Sequence, residues 1–201
     1  MDGAPLHEVL AEERSELERR AQRVQRALAV VDALAGAEAF PDVAVDTTTW
    51  PDEVVLVGRA TVDGDLVGPR ATELIARLLD EADRLDLDLA EPVTGTYPLT
   101  LAGSVAIAAH LPIGAAAGGG APDVDRVEGD GMAVEPFAGG PVARVVHVGP
   151  HETLPVAYPS LLRELGRRGV APTGPIHERY LDDPATTDPL LLRTEVAHRL
   201  R

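Results

Sequence analysis

Apolar positions repeat on two different periods along this chain of 201 residues, and each period predicts a different element. Between residues 5 and 35, Leu10, Leu17, Val24 and Val31 recur every seven residues, and Ala21, Leu28 and Ala35 follow four behind. That spacing is the seam of a coiled coil rather than the wider stripe of a helix lying on a globular core. Pro5 suits a first helical turn and Gly36 a C-terminal stop. At a rise of about 1.5 Å per residue such a helix would run roughly 45 Å. Its seam needs a partner, so residues 1–36 are expected to be a dimerisation helix, pairing two copies through residues 5–35. Packing on its own domain is the alternative, because Glu13 and Arg20 interrupt one row.

From residue 42 the pattern shortens to strands and turns, and it repeats. Ala44–Asp46 precedes Val54–Gly58, and later Ala133–Glu135 precedes Val145–Gly149. Each block leads into a helical pattern. The first has Ala71, Leu74, Ile75, Leu78, Leu79, Ala82 and Leu85 on one face, and the second has Leu154, Ala157, Tyr158, Leu161, Leu162 and Leu165. A strand with a tyrosine near its end comes next, Tyr97 in one block and Tyr180 in the other. A last strand closes each, Val105–Leu111 and Leu190–Leu200, with His110 and His198 in matching Ala-His pairs. Strand-strand-helix-strand-strand therefore occurs twice, over 42–113 and 132–201. The Gly- and Ala-rich stretch 114–131 reads as a flexible linker. The expected fold is α+β, two duplicated modules about a pseudo-twofold axis with a central ligand cleft, preceded by the long helix.

Charge and composition narrow the chemistry. There are 33 acidic against 18 basic residues, a net charge of −15 that repels phosphate backbones, so no nucleic acid is expected as a partner of this chain alone. Without cysteine there is no disulfide, thiol nucleophile or thiolate metal site. No stretch approaches the roughly 20 apolar residues of a membrane span, and the acidic N-terminus does not suit a signal peptide. The expected setting is the cytoplasm, away from membranes. Three glycines at 118–120 lack the Lys-Ser/Thr of a phosphate loop. His147 and His151 are four apart, but Gly149-Pro150 between them forbids the helix that would align them. Neither a metal nor a cofactor is expected.

One short stretch carries the candidate chemistry. Gly174–Leu181 predicts a strand entered through a Gly-Pro turn. Alternation puts Ile176, Glu178 and Tyr180 on one face and His177 and Arg179 on the other. Glu178 thus sits between an aliphatic and a phenol, where a carboxylate costs free energy unless something pairs with it. Either Arg144, Arg193 or a backbone donor holds it for structural reasons, or it is set in an apolar pocket to hold a ligand or move a proton.

The run Ala143–Pro150, then Ala157-Tyr158, Leu161-Leu162, Gly174-Pro175, Glu178, Tyr180, Asp183-Pro184 and Thr194-Glu195-Val196, resembles the GyrI-like small-molecule-binding domain. The likeness spans about 42–201 and is strongest over 142–201. It implies a duplicated module with a ligand cleft at the pseudo-dyad, where a buried glutamate meets lipophilic, often cationic compounds among aromatic rings. Glu178 occupies that glutamate position, and Glu195 matches a second acidic position on the last strand. The expected ligand contacts are Glu178, Tyr180, Tyr97, Trp50, Glu195, Tyr158, Phe137 and His147. The resemblance also likens the helix at 5–35 to the coiled-coil linker of MerR-type regulators, with the DNA-binding part absent from this chain. The implied function is effector sensing for such a regulator, by a domain that is not itself an enzyme. Two alternatives are a GyrI-like hydrolase of strained cyclopropanoids using Glu178 and Tyr180, and a gyrase-inhibitor-like protein-binding module. His151 after Gly149-Pro150, Ala197 two residues past Glu195, and Pro159 inside the second helical pattern depart from the family's pattern. With one Trp, three Tyr and two Phe, the chain has few rings for a broad multidrug pocket.

Overall fold

The computed structural model describes residues 44–114, 127 and 131–200, together with Leu10, Arg14 and Leu17. The chain divides into two compact units, Met1–Asp42 and Val43–Arg201. In the first, the three described residues are helical, with Leu10 and Leu17 exposed. The rest of the seam predicted over 5–35 lies outside the described residues, as does most of 114–131.

In the second unit the strands are β1 (Asp46–Trp50), β2 (Glu53–Asp63), β3 (Val93–Tyr97), β4 (Ser104–Pro112), β5 (Met132–Phe137), β6 (Gly140–Val148), β7 (Ile176–Tyr180) and β8 (Arg193–Arg199). The helices are α1 (Val67–Arg84) and α2 (Ala157–Arg167). All eight strands form one antiparallel sheet in the order β1-β6-β8-β7-β3-β4-β2-β5. Consecutive strands are not always neighbours. β1 pairs with β6 from Asp46↔Arg144 to Trp50↔Gly140, and β5 pairs with β2 from Glu53↔Phe137 to Gly58↔Met132.

That order forces the sheet to curl. β1 and β2 stand six places apart, about 29 Å in a flat sheet, yet only Pro51 and Asp52 join them. Three Cα steps span at most about 11 Å. The same holds for β5 and β6, joined by Ala138 and Gly139. The two edges must therefore meet at one end, and they do. Trp50 of β1 and Phe137 of β5 lie 6.3 Å apart between ring centroids, and both touch the ring of His177 on central β7. The face bearing these rings is concave.

Both helices cover the opposite, convex face. α1 buries Ala71, Leu74, Leu78 and Ala82 against Leu56, Ile107, Ala109 and Leu111, and Val127 packs at the edge of this cluster. α2 buries Ala157, Leu161 and Leu165 against Ala143, Val145, Ile176 and Val196. Each fully buried aliphatic side chain contributes on the order of 1.5–3 kcal/mol. Among the described residues no helix is long and apolar enough to cross a membrane.

Several local expectations change. Leu79, predicted on the buried face of the first helix, is 43% exposed, and Leu85 lies beyond its last turn. Leu154 falls in a 3-10 turn, His151–Val156, and α2 starts at Ala157, so Pro159 occupies its first turn. The last strand begins at Arg193 rather than Leu190. Asp188 accepts a hydrogen bond from Leu190 N and, with Pro189, folds that stretch into a 3-10 turn, leaving Leu190 and Leu191 exposed. His110 and His198 do not correspond. Thr96↔Ala108 on β3–β4 matches Arg179↔Glu195 on β7–β8 when Tyr97 is matched to Tyr180, so His110 answers to Ala197. His110 faces the concave side, toward Phe137, while His198 shares the convex side with Val196 and bonds to Thr173 O.

Candidate functional site

The middle of the sheet is the β3–β7 pair, where Gly95 stands directly opposite Glu178. Ile176 packs in the α2 cluster, so Glu178 and Tyr180 share the convex face with it, as strand alternation predicts. Glu178 is 9% exposed. Tyr158, from the first turn of α2, donates its hydroxyl to Glu178 Oε1. Tyr180 OH donates to Oε2 at 3.0 Å. With that proton committed, Tyr97 OH donates in turn to Tyr180 OH at 2.7 Å.

Gly95 makes this chain of phenols fit. A Cβ built there would lie 2.5 Å from Tyr97 OH and 2.6 Å from Cε2, so the ring lies back over its own strand. The glycine in Val93-Thr-Gly-Thr-Tyr97 is the sequence signal for this close approach. Its significance depends on where the Tyr97 ring lies, which strand alternation does not fix.

Burial dominates the electrostatics. Desolvation raises the Glu178 pKa, and the hydrogen bonds from Tyr158 and Tyr180 only partly oppose it. Desolvation and the neighbouring Glu178 charge push Tyr97, Tyr158 and Tyr180 well above the usual phenol range. Among the described residues no arginine pairs with the carboxylate: Arg144 pairs with Glu195, and Arg193 with Asp182. Neither structural arginine named as an alternative holds it. A buried acid held only by neutral hydroxyls can accept a cation, or release and take up a proton. Of two open hollows, about 420 and 720 Å³, Glu178 borders neither, while Tyr97 is among the residues lining the larger.

The eight expected contacts do not converge. Glu178, Tyr180, Tyr97 and Tyr158 form one hydrogen-bonded cluster. Trp50, Phe137 and Glu195 stand on the concave face, where Glu195 Oε1 accepts from Trp50 Nε1 at 2.9 Å and Oε2 from Arg144 at 2.5 Å. His147 is apart from both groups, 2.9 Å from Thr153 Oγ1 near the end of β6. Its pKa is lowered, first by burial. The concave face also holds residues that the sequence did not single out as a group. Thr96 Oγ1 lies 3.0 Å from both His110 Nε2 and His177 Nδ1. Burial, followed by nearby arginines, lowers their pKa values to about 4 and about 3, so both are neutral at physiological pH.

Residues 109–201 match the family described as the GyrI-like small molecule binding domain. No curated protein matches the chain in sequence. Among solved structures, the EcmrR C-terminal domain is similar with a TM-score of 0.64 at 16% identity, covering 79% of this chain and 98% of its own. A hydrolase encoded by lin2189 from Listeria innocua is similar at a TM-score of 0.53 and 14% identity, covering 78% of this chain and 91% of its own. SAV2435 bound to tetraphenylphosphonium is similar at 0.52 and 13%, covering 79% of this chain and 94% of its own. At these identities the structural likenesses establish a shared fold.

Proposed function

We propose, for a chain bearing a GyrI-like small molecule binding domain, that it binds a lipophilic organic cation at Glu178 and thereby serves as the sensing part of a MerR-type regulator. The observation that carries this reading is a carboxylate 9% exposed whose hydrogen-bond partners are phenols and not arginines. In a low-dielectric setting an organic cation gains from such a charge more than it would in water, and the faces of Tyr97, Tyr158 and Tyr180 suit it. Neither of the two hollows borders the acid, and on this reading a phenol swings aside to admit the cation. The solved fold bound to tetraphenylphosphonium supports the choice of probe.

Titration calorimetry with tetraphenylphosphonium tests the site. Glu178→Gln is expected to weaken binding tenfold or more, about 1.4 kcal/mol. Equal binding by parent and variant would exclude the reading.

The fold supports a duplicated origin as well. Exchanging every strand with the one four places later in the chain leaves the sheet order unchanged. On this reading 42–113 and 132–201 are the modules, 114–131 joins them, and residues 5–35 pair two chains. Sedimentation of the full chain and of a version starting at residue 43 tests the pairing, the first as a dimer and the second as a monomer.

A hydrolase is the second reading, favoured by the raised Glu178 pKa and its bond to Tyr180. Such a carboxyl suits general acid or base catalysis on a strained cyclopropanoid. Turnover of that substrate, lost in Glu178→Gln, would select it over sensing alone.

A further inference from the structure

The concave face is filled unevenly. The hollow of about 720 Å³ opens there, bordered by Arg59, Thr61, Thr96, Ala106, Ala108 and Pro175. A volume of this size suits a small organic molecule. Ala106 and Ala108, two apart on one face of β4, give it a flat floor. Ladder register about the central strands shows why the space exists. Thr96 and Ala108 stand where the other half carries Arg179 and Glu195, and Ala106 where it carries Arg193. Those three side chains engage in ion pairs with Glu53, Arg144 and Asp182. One half plugs this place with charge and the other leaves it open.

The lining is also close to neutral. Arg59 is its one ionised member, and Glu135 already pairs with it. Behind Thr96 are two uncharged imidazoles, and His110 Nδ1 is buried without a partner. A charged ligand would lose hydration here without finding a free counter-ion. Leu99, 37% exposed, adds an apolar rim.

We propose that this hollow is a second binding site, distinct from Glu178, for an uncharged flat aromatic molecule lying on Ala106 and Ala108 with a polar edge toward Thr96. Thr96 and Tyr97 are consecutive on β3 and leave opposite faces, and Tyr97 also borders the hollow, so the two sites adjoin at that residue while Glu178 itself stays outside the lining.

The probe is N-phenyl-1-naphthylamine, uncharged and fluorescent in apolar surroundings, titrated into the full chain. Ala108→Leu, which fills the floor, is expected to weaken it about tenfold. Thr61→Trp, an exposed substitution at the rim that spares the core, is expected to do so about fivefold. Glu178→Gln should leave dye affinity unchanged, and saturating tetraphenylphosphonium should not displace the dye. Displacement by the cation, loss in Glu178→Gln, equal binding by parent and both filled variants, or no binding up to the dye's solubility would each overturn the second site. Cation affinity is read separately, so failure of the Glu178 site is seen whether or not the dye binds.

Discussion

Glu178 and Glu195 lie on neighbouring strands of one sheet, both buried, and face opposite ways. Glu195 is 2% exposed and has the indole of Trp50 on one oxygen and the guanidinium of Arg144 on the other. Glu178 has only phenols. The first is a carboxylate whose charge is already answered, and it closes the curled end of the sheet. The second is an acid whose ionisation burial opposes. Depth below the surface does not separate these roles; the identity of the partner does.

The comparison breaks most visibly at Glu195. Glu195→Gln leaves Arg144 without its anion and should lower the unfolding free energy by about 3 kcal/mol, read in urea, with tetraphenylphosphonium affinity unchanged once the variant is folded. An equal loss of affinity would place both acids in one site. Gly95→Ala comes next. Its Cβ displaces the Tyr97 ring and breaks the bond to Tyr180, for about 2 kcal/mol, and alters cation affinity where Glu195→Gln does not.

Glu178→Gln should act in the other direction on stability. Its folded pKa lies above that of the unfolded carboxyl, so the penalty is absent at acid pH and grows as pH rises through the folded value. The variant is expected to gain about 1 kcal/mol at pH 7 and nothing near pH 3, measured by thermal melts across that range. The histidines titrate with the opposite sign. Their folded values, about 4 and about 3, lie below 6.5. The stability they confer is complete above that and lost as pH falls through the folded values. His177→Gln should give a shallower fall in Tm between pH 6.5 and 3 than in the parent.

Alternation made the faces of β7 legible, because two-residue periodicity is fixed by backbone geometry. Likewise Leu74, Leu78, Leu161 and Leu165 announced their helices' buried sides. What sequence could not supply was partnership across the chain. The neighbours of β1 and β5 lie in the opposite half, a consequence of two-residue links that no local pattern encodes. Sequence alone therefore groups Trp50 and Phe137 with Glu178, though register carries them to the other side. His110 and His198 were matched by their shared Ala-His pairs, while the ladder offsets them by one residue and so by one face. The role of Gly95 depends on the Tyr97 ring lying back over it, which alternation along the strand does not reveal.

The crossed pairing of the end strands has a bearing on how the domain is assembled. Synthesis delivers β1 long before β6, so the first segment to emerge waits for a mate made near the close of translation, and completion is expected to be slow. A gene cut between residues 114 and 131 would yield two pieces, each short of one ribbon that only the other can provide. Expressed separately they should be insoluble or molten; expressed together they should reassemble, which would make this fold a natural split reporter.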